Sequence, residues 1–455
     1  MTPLAAWRLE CRLGRALRDL GRRLVELAYN GIEPAEVKLL PTRLRIGLDE
    51  YRRNRRTPRK LFCLFGPIRL WRVVYQAVEP GIAGLFPLEQ ALGIVGRLAT
   101  PALADQVGRL MAELTQQQTQ TVLRERHGAS WSVKSLRKAT AALAESLAPL
   151  RQEAQVSRLL GLLRQAFASA GKNRPMLVAG RDGVMVQTRP CWEEASTATV
   201  SVYDRRGQRL GTAYLGRMPE LGQGTMTTQL TDLLLAVLKA WEGVLPRLHY
   251  VTDAGNHPLE FYRRVLRPMC HPRTGKRLEW TWSVDCFHAA ERLTKLAEVI
   301  FGTGREASAW AAKMRKMLKE KASGVSRVLH SAGALRQRRG LTGSQKDYRQ
   351  AVNYLRRFAR YMNYQEYRRV GLPIGSGVTE AACKIIVNYR FKQSGMRWHC
   401  VTGQHVLDLR VILKSGVWRQ AYRTALGSYT PYQRAAPAAN KPAYLDYPAS
   451  FQLPT

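Results

Sequence analysis

The sequence predicts an α/β protein in which a mixed five-stranded sheet with flanking helices is interrupted by an all-helical insertion and preceded by a mainly helical N-terminal region. Three observations lead there. Three short β-rich runs follow one another after Pro175, and helical and strand patterns then alternate as far as Gly302. Residues 304–370 next show helical spacing alone, before a glycine-punctuated segment opens another helix at residue 377.

The chain has 455 residues, of which 45% are hydrophobic and 23% charged, an ordinary globular composition for more than one domain. Its charge balance is not ordinary. Against 34 Asp and Glu stand 72 Lys and Arg, a net charge of +38, so a polyanion is the default partner. No apolar run reaches the ~18 residues of a membrane span, and the N-terminus lacks the uninterrupted apolar stretch of a secretory leader. We therefore expect a cytoplasmic, nucleoid-associated protein with no membrane partner. Seven dispersed cysteines without a CxxC pair argue against a disulfide framework, and Cys270, His271, Cys286 and His288 form a weak pattern for zinc.

In order along the chain, residues 5–30 place Leu, Ala and Val at helical spacing among Arg12, Arg15, Arg18, Arg22 and Arg23. This is an amphipathic helix with a basic polar face, the main element of an N-terminal arm over 1–60. Residues 52–60, RRNRRTPRK, hold six basic and no acidic side chains in nine, which reads as a solvated loop or a backbone-tracking arm. Residues 61–76 turn at Gly66-Pro67 between apolar runs and read as a strand hairpin. Helical spacing from Leu88 to Leu150 breaks at His127-Gly128-Ala129. Residues 131–144 are then either the reading helix of a helix-turn-helix or plain helical packing, within a DNA-binding region over 61–150.

The core begins with MLVAGRDGVMVQ, ATVSVYD and QRLGTAYLGRM, read as an antiparallel meander with a turn at Asp204-Arg205-Arg206-Gly207. Helix 225–243, a strand ending at Asp253, a second helix, a strand ending at Asp285 and a third helix complete residues 175–303. That is the element order of an RNase H-like domain. The insertion over 304–370 is strongly basic: residues 305–370 carry 17 Lys and Arg, among them Arg336, Arg338, Arg339, Arg356 and Arg357, against four acids. A nucleic-acid backbone would relieve that self-repulsion. Residues 371–422 return to the core, and 423–455 form a Pro, Ala and Tyr-rich tail.

Against so basic a background, acids at the ends of apolar strands are the candidate chemistry, because a carboxylate near a core needs a cation to answer it. In the expected topology the strand of Asp182 lies beside that of Asp253, so the two should converge. Glu380 falls in the first turn of a helix that Ser376 can cap and that runs to Phe391, with Lys384, Arg390 and Lys392 further along. Three such hard-oxygen ligands can hold two Mg²⁺, or Mn²⁺ in their place, and two metals stabilise both oxygens of an in-line phosphodiester displacement. The competing reading is plain: Asp182 and Asp253 end strands at turns, and Glu380 is an acid favoured by the helix dipole.

The motifs Arg181-Asp182-Gly183, Val251-Thr252-Asp253-Ala254-Gly255 and Asp285-Cys286-Phe287-His288 bear a wider likeness. With residues 374–398, IGSGVTEAACKIIVNYRFKQSGMRW, they resemble the DDE transposases of bacterial insertion sequences, the ISKra-type group first and Mutator-like enzymes more distantly. The resemblance covers about residues 60–420. It implies an RNase H-like core whose triad is Asp182, Asp253 and Glu380, double-stranded DNA as partner, and a homo-oligomer in the working complex. It also implies a supporting role for His288 at a Cys/Asp-x-x-His motif; a histidine at a helix start bonded to Asp285 is the alternative. Asp285 competes with Asp253 for the second position. Lys384, Arg390, Lys392, Arg397 and Trp398 become candidate DNA contacts. The cysteine pairs that the family often carries before Pro87-Leu88-Glu89-Gln90 are missing here. A transposase-derived protein that binds DNA without cutting it, or a structure-specific nuclease on the same fold, would carry much of the same sequence.

Overall fold

The computed structural model describes residues 1–46, 48–189, 191–340 and 346–427, which divide into two compact units. The first holds residues up to Leu150 and those from Arg419 on; the second runs from Arg151 to Trp418. Among the described residues no helix is long and apolar enough to cross a membrane.

The first unit opens with helix α1 (Pro3–Asn30), started by the Thr2 hydroxyl accepting from the Ala5 amide, with Pro3 in its first turn. Strands β1 (Arg43–Ile46), β2 (Asp49–Cys63) and β3 (Gly66–Ala77) form an antiparallel sheet in that order. The run over 52–60, expected as a loop or arm, is therefore the middle of a strand. Backbone pairing with β3 from Cys63↔Gly66 to Tyr51↔Ala77 is indifferent to side-chain charge, and buried Tyr51, Leu61 and Cys63 anchor both ends. Between them Arg52, Arg55 and Lys60 keep their charged heads in water, whereas buried Arg72 is held by Glu89 at 2.6 Å and by Thr57. Four helices follow: α2 (Pro87–Ala91), α3 (Pro101–Glu113), α4 (Gln116–His127) and α5 (Val133–Leu147). A capping box at Thr115 and Gln118 starts α4, left-handed Gly128 ends it, and the Ser132 hydroxyl starts α5. The break read at His127–Ala129 is this turn.

The second unit begins with a helix the sequence reading did not pick out, α6 (Arg151–Ala168). Then come β4 (Met176–Gln187), β5 (Trp192–Tyr203), β6 (Arg209–Arg217), α7 (Gly224–Ala240), β7 (Arg247–Thr252), α8 (Asn256–Phe261), β8 (Trp280–Val284) and α9 (Cys286–Phe301). The sheet order is β6-β5-β4-β7-β8, with the first three strands antiparallel and β7 and β8 parallel to β4. The expected mixed five-stranded sheet is thus present.

Residues 305–369 form helices α10 (Arg305–Glu320), α11 (Gly324–Arg338), α12 (Lys346–Phe358) and α13 (Tyr364–Arg369). Their apolar faces, through Trp310, Met314, Val328 and Leu355, share one buried core with the sheet residues Leu177, Tyr250 and Trp282. The Tyr364 hydroxyl donates to the Val284 carbonyl at 3.0 Å. The basic helices are built onto the sheet rather than held apart from it. After them come α14 (Gly377–Ala382), a wider π turn, α15 (Tyr389–Phe391), α16 (Cys400–Lys414) and α17 (Trp418–Gly427). Within the first unit, Tyr422 of α17 donates its hydroxyl to the Pro101 carbonyl at 2.6 Å. Of the tail expected over 423–455, residues from 428 on lie outside the described residues.

Candidate active site

Strand register does the first piece of positioning. Strands β4 and β7 pair in parallel from Met176↔Arg247 to Ala179↔Tyr250. Asp182 lies three residues beyond the last pair on one strand, and Asp253 three beyond it on the other, so they arrive abreast. Strand β4 continues to Gln187, but β7 ends at Thr252, and Ala254 turns the chain away with a left-handed φ of 67°. That divergence opens a cleft of about 250 Å³ at the carboxyl ends of the parallel strands, the usual location of sites on such sheets. Asp182, Asp253, Glu194, Gln223, Asn256 and His257 line it, with the backbone of Gly183 and Gly255.

The carboxylates in the cleft are sparsely satisfied. Asp182 accepts from its neighbour's amide, Gly183 N, at 2.8 Å and from the Cys383 thiol at 3.4 Å. Asp253 accepts from the Gly255 amide at 2.9 Å. Burial and then the charge of Asp253 push the Asp182 carboxyl up to about 6 from 3.8, while His288 acts in the opposite direction. Burial, followed by the Asp182 charge, also drives the Cys383 thiol upward, so it stays protonated and donates.

Asp285 is different. It is 2% exposed, and its carboxylate takes the Phe287 and His288 amides at the start of α9 together with the amide and hydroxyl of Ser376. Ser376 was expected to cap its own helix; it spends its hydroxyl on Asp285 instead, tying the 374–377 loop to α9. Strand β8 also lies outside β7 in the sheet, which leaves Asp253 as the neighbour of Asp182. The His288 ring, 41% exposed, has Glu291 at 3.4 Å, and only its backbone amide bonds Asp285.

Helix α14 packs on β4 and β5. Thr379 bonds Thr199 at 2.8 Å, Cys383 bonds Thr197 at 2.9 Å, and a Cβ on Gly180 would stand 2.0 Å from the Thr379 hydroxyl. The sheet-facing line through this helix and the π turn after it is thus Thr379 and Cys383, which turns Glu380 sideways. Its carboxylate meets Lys384 Nζ at 2.9 Å, with both side chains more than half exposed. The expected convergence of three acids is therefore met by two. Glu380 stays outside the cleft, and among the described residues no group of three His, Cys, Asp or Glu converges tightly enough to hold an ion. The physical reason is repulsion: Asp182 and Asp253 already burden one another, and Lys384 offers Glu380 a cation.

As metal ligands, Asp182 and Asp253 fit a hard divalent cation, which would relieve the repulsion that raises Asp182. The third ligand set is incomplete as the side chains stand.

The candidate DNA contacts divide. Lys392 and Arg397 are exposed, as are Arg336, Arg338, Arg339, Arg356 and Arg357 on the basic helices, although Arg339 reaches Glu306 at 2.8 Å. Lys384 is engaged by Glu380. Arg390 is not available to phosphate, being 1% exposed with its guanidinium over the Trp398 ring at 5.1 Å. Trp398 packs on Phe391 with ring centroids 4.5 Å apart and donates to the Phe391 carbonyl. The aromatic and its cation fill a core.

Sequence reading missed Glu194, whose amide partner is Gln223 at 3.0 Å, and Cys383. The first was findable by counting pairs back from the β4–β5 hairpin, where Met185 faces Glu194. The second lies three residues from Glu380, the spacing of one helical turn. No family model matches the chain, and a search of curated proteins returned no match.

Proposed function

We propose that this chain is a DNA transposase of the DDE kind, cutting and joining DNA strands with metal ions at Asp182 and Asp253 on an RNase H-like core. The observation that carries the reading is the in-register pair Asp182 and Asp253, each three residues past the last parallel pair of β4 and β7, with Asp182 raised to about 6 by burial and by its partner. The order β6-β5-β4-β7-β8, antiparallel then parallel, supports the RNase H-like reading, as does a Glu-bearing helix laid on β4 and β5.

Bound magnesium would offset charge on the attacking and leaving oxygens and activate the nucleophile. The chain's own part is to present Asp182 and Asp253 ionised and abreast, with Cys383 and Gly183 fixing one carboxylate and the Asp253–Gly255 turn fixing the other. On this reading Glu380 leaves Lys384 to join Asp182 when metal and DNA bind, and its helix already packs on β4. Exposed Lys392, Arg397 and the arginines of α11 and α12 hold phosphates, and His288 keeps Asp182 toward its ionised form. A homo-oligomer working on double-stranded DNA in the nucleoid follows from this reading.

The pairing of Glu380 with Lys384 favours a second reading, a DNA-binding descendant that no longer cuts. A strand-cleavage assay on element ends, with and without Mg²⁺, separates them. We expect metal-dependent nicking that is abolished in Asp182→Ala and Asp253→Ala while DNA binding persists. Binding that is salt-sensitive but indifferent to metal, with no cleavage, would leave the inert reading standing. Cleavage of branched DNA regardless of end sequence would identify a structure-specific nuclease.

A further inference from the structure

The leucines of α1 form an unpartnered seam. Leu9, Leu13, Leu17, Leu20, Leu24 and Leu27 are 45–73% exposed, and no residue of this 28-residue helix is buried. At ~100° per residue, their spacing of four, four, three, four and three confines all six to a stripe about 80° wide. At the C-terminal end of the helix the opposite side is already used: Val25 and Tyr29 pack toward β3, and Asn30 bonds the Arg69 carbonyl at 2.9 Å, while near the N-terminus Leu4 and Trp7 are exposed on that side. The amphipathic helix expected from the sequence therefore has its leucine edge in solvent, where large apolar surface marks an interaction site.

We infer that this seam pairs with the same seam of a second copy of the chain as a short two-stranded coiled coil. Three features on α1 select that occupant. A stripe this narrow, repeating every 3.5 residues through Leu13–Leu27, is the pattern of a coiled-coil seam; a helix lying on a membrane or across a sheet shows a broader apolar face. Charge does not oppose pairing along the half of the seam that carries Leu20, Leu24 and Leu27. Asp19 bridges Arg22 and Arg23 at 2.8 Å, and Glu26 meets Arg22 at 3.3 Å, so residues 19–28 are neutral overall. Finally, six half-exposed leucines contribute roughly 80–100 Å² each, so a symmetric pair covers about 1,000 Å², where specific interfaces begin.

The inference does not rest on the chemistry of the cleft and holds for an inert DNA-binding protein as well. The test is sedimentation equilibrium of the full chain, freed of nucleic acid by nuclease and high salt, at micromolar concentration. The mass of two chains is expected. The double substitution Leu17→Lys with Leu24→Lys should weaken association by about tenfold or more, to one chain at the same concentration, with an unchanged circular dichroism spectrum. Leu4→Lys, on the far side of the helix, should leave the pair intact. A monomeric wild type would overturn the proposal, whether the seam then proves to hold residues 428–455 or to bind anionic vesicles. Dimers surviving in the double variant would overturn it too, by putting the contact elsewhere.

Discussion

Three neighbouring strands of the same sheet lead to an aspartate each, and the three acids are treated in two opposite ways. At the end of β8, Asp285 is enclosed and surrounded by donors from α9 and from Ser376. Where the parallel pairing of β4 with β7 gives out, Asp182 and Asp253 share a cleft, collect few donors and repel one another. A saturated carboxylate is a fastening; an unsatisfied pair of carboxylates is a place where something cationic belongs. On the proposed function, the contrast distinguishes the acid that fastens the fold from the pair that would bind metal, where residue type alone does not.

The contrast would break most visibly at Asp285. Replacing it by Ala removes an N-cap and leaves the amide and hydroxyl of Ser376 without their acceptor, so we expect a loss of about 3–4 kcal/mol in chemical denaturation. A loss below ~1 kcal/mol would show that the fastening is dispensable.

Gly180→Ala tests the docking of α14. The new Cβ would sit 2.0 Å from Thr379 Oγ1 and 3.1 Å from Thr199 Oγ1, forcing helix and sheet apart at a cost of about 1–3 kcal/mol. Cleavage should fall with it, because Glu380 rides on that helix. Gly183→Ala meets only the mobile end of Glu194 and should be milder.

Asp182→Asn should go the other way and stabilise the fold. The folded acid holds its proton to about pH 6, whereas the unfolded one releases it near 3.8. The folded state therefore binds more protons between those values, and its stability falls as pH rises through the window. Discounted for partial exposure, removing the charge should add about 1–2 kcal/mol at pH 7, visible as a higher melting temperature, while abolishing cleavage. Buried His249, whose imidazole burial pushes down to about 4 from 6.5, has the opposite sign: its stability is present above 6.5 and lost as pH falls toward 4. Wild-type stability should thus vary little from pH 6 to 4, and Asp182→Asn should expose a decline on acidification.

The smallest effect on stability is expected for Glu380→Gln, which breaks an exposed pair one helical turn apart and should leave the denaturation midpoint unmoved. Loss of cleavage with unchanged stability would mark Glu380 as the acid that joins the site, and retained cleavage would remove it from the proposed mechanism.

Much of the second unit was legible because its signals are local. The hairpin turn at Asp204–Gly207, the helix over 224–240 and the strands ending beside Asp253 and Asp285 follow from period, turn residues and breakers within a dozen positions. The aspartate pair was legible too, since parallel neighbours place equal distances side by side. What could not be read there was direction. Nothing in the local spelling of residues 390–398 says that Arg390 turns inward onto Trp398, that Ser376 serves another helix, or that Glu380 faces Lys384. In the first unit, the dense charge of 52–60 concealed a strand, because the apolar half of that pairing belongs to β3.

By itself, then, the sequence determined the periodic elements, the basic surface and the candidates for acidic chemistry, all of which depend on neighbours along the chain. The tertiary structure alone decided which carboxylates share a cleft, which are bound up in hydrogen bonds and which cations stay exposed. Those outcomes depend on distances between residues far apart in the chain, where burial and charge repulsion act through space and leave no trace in local order.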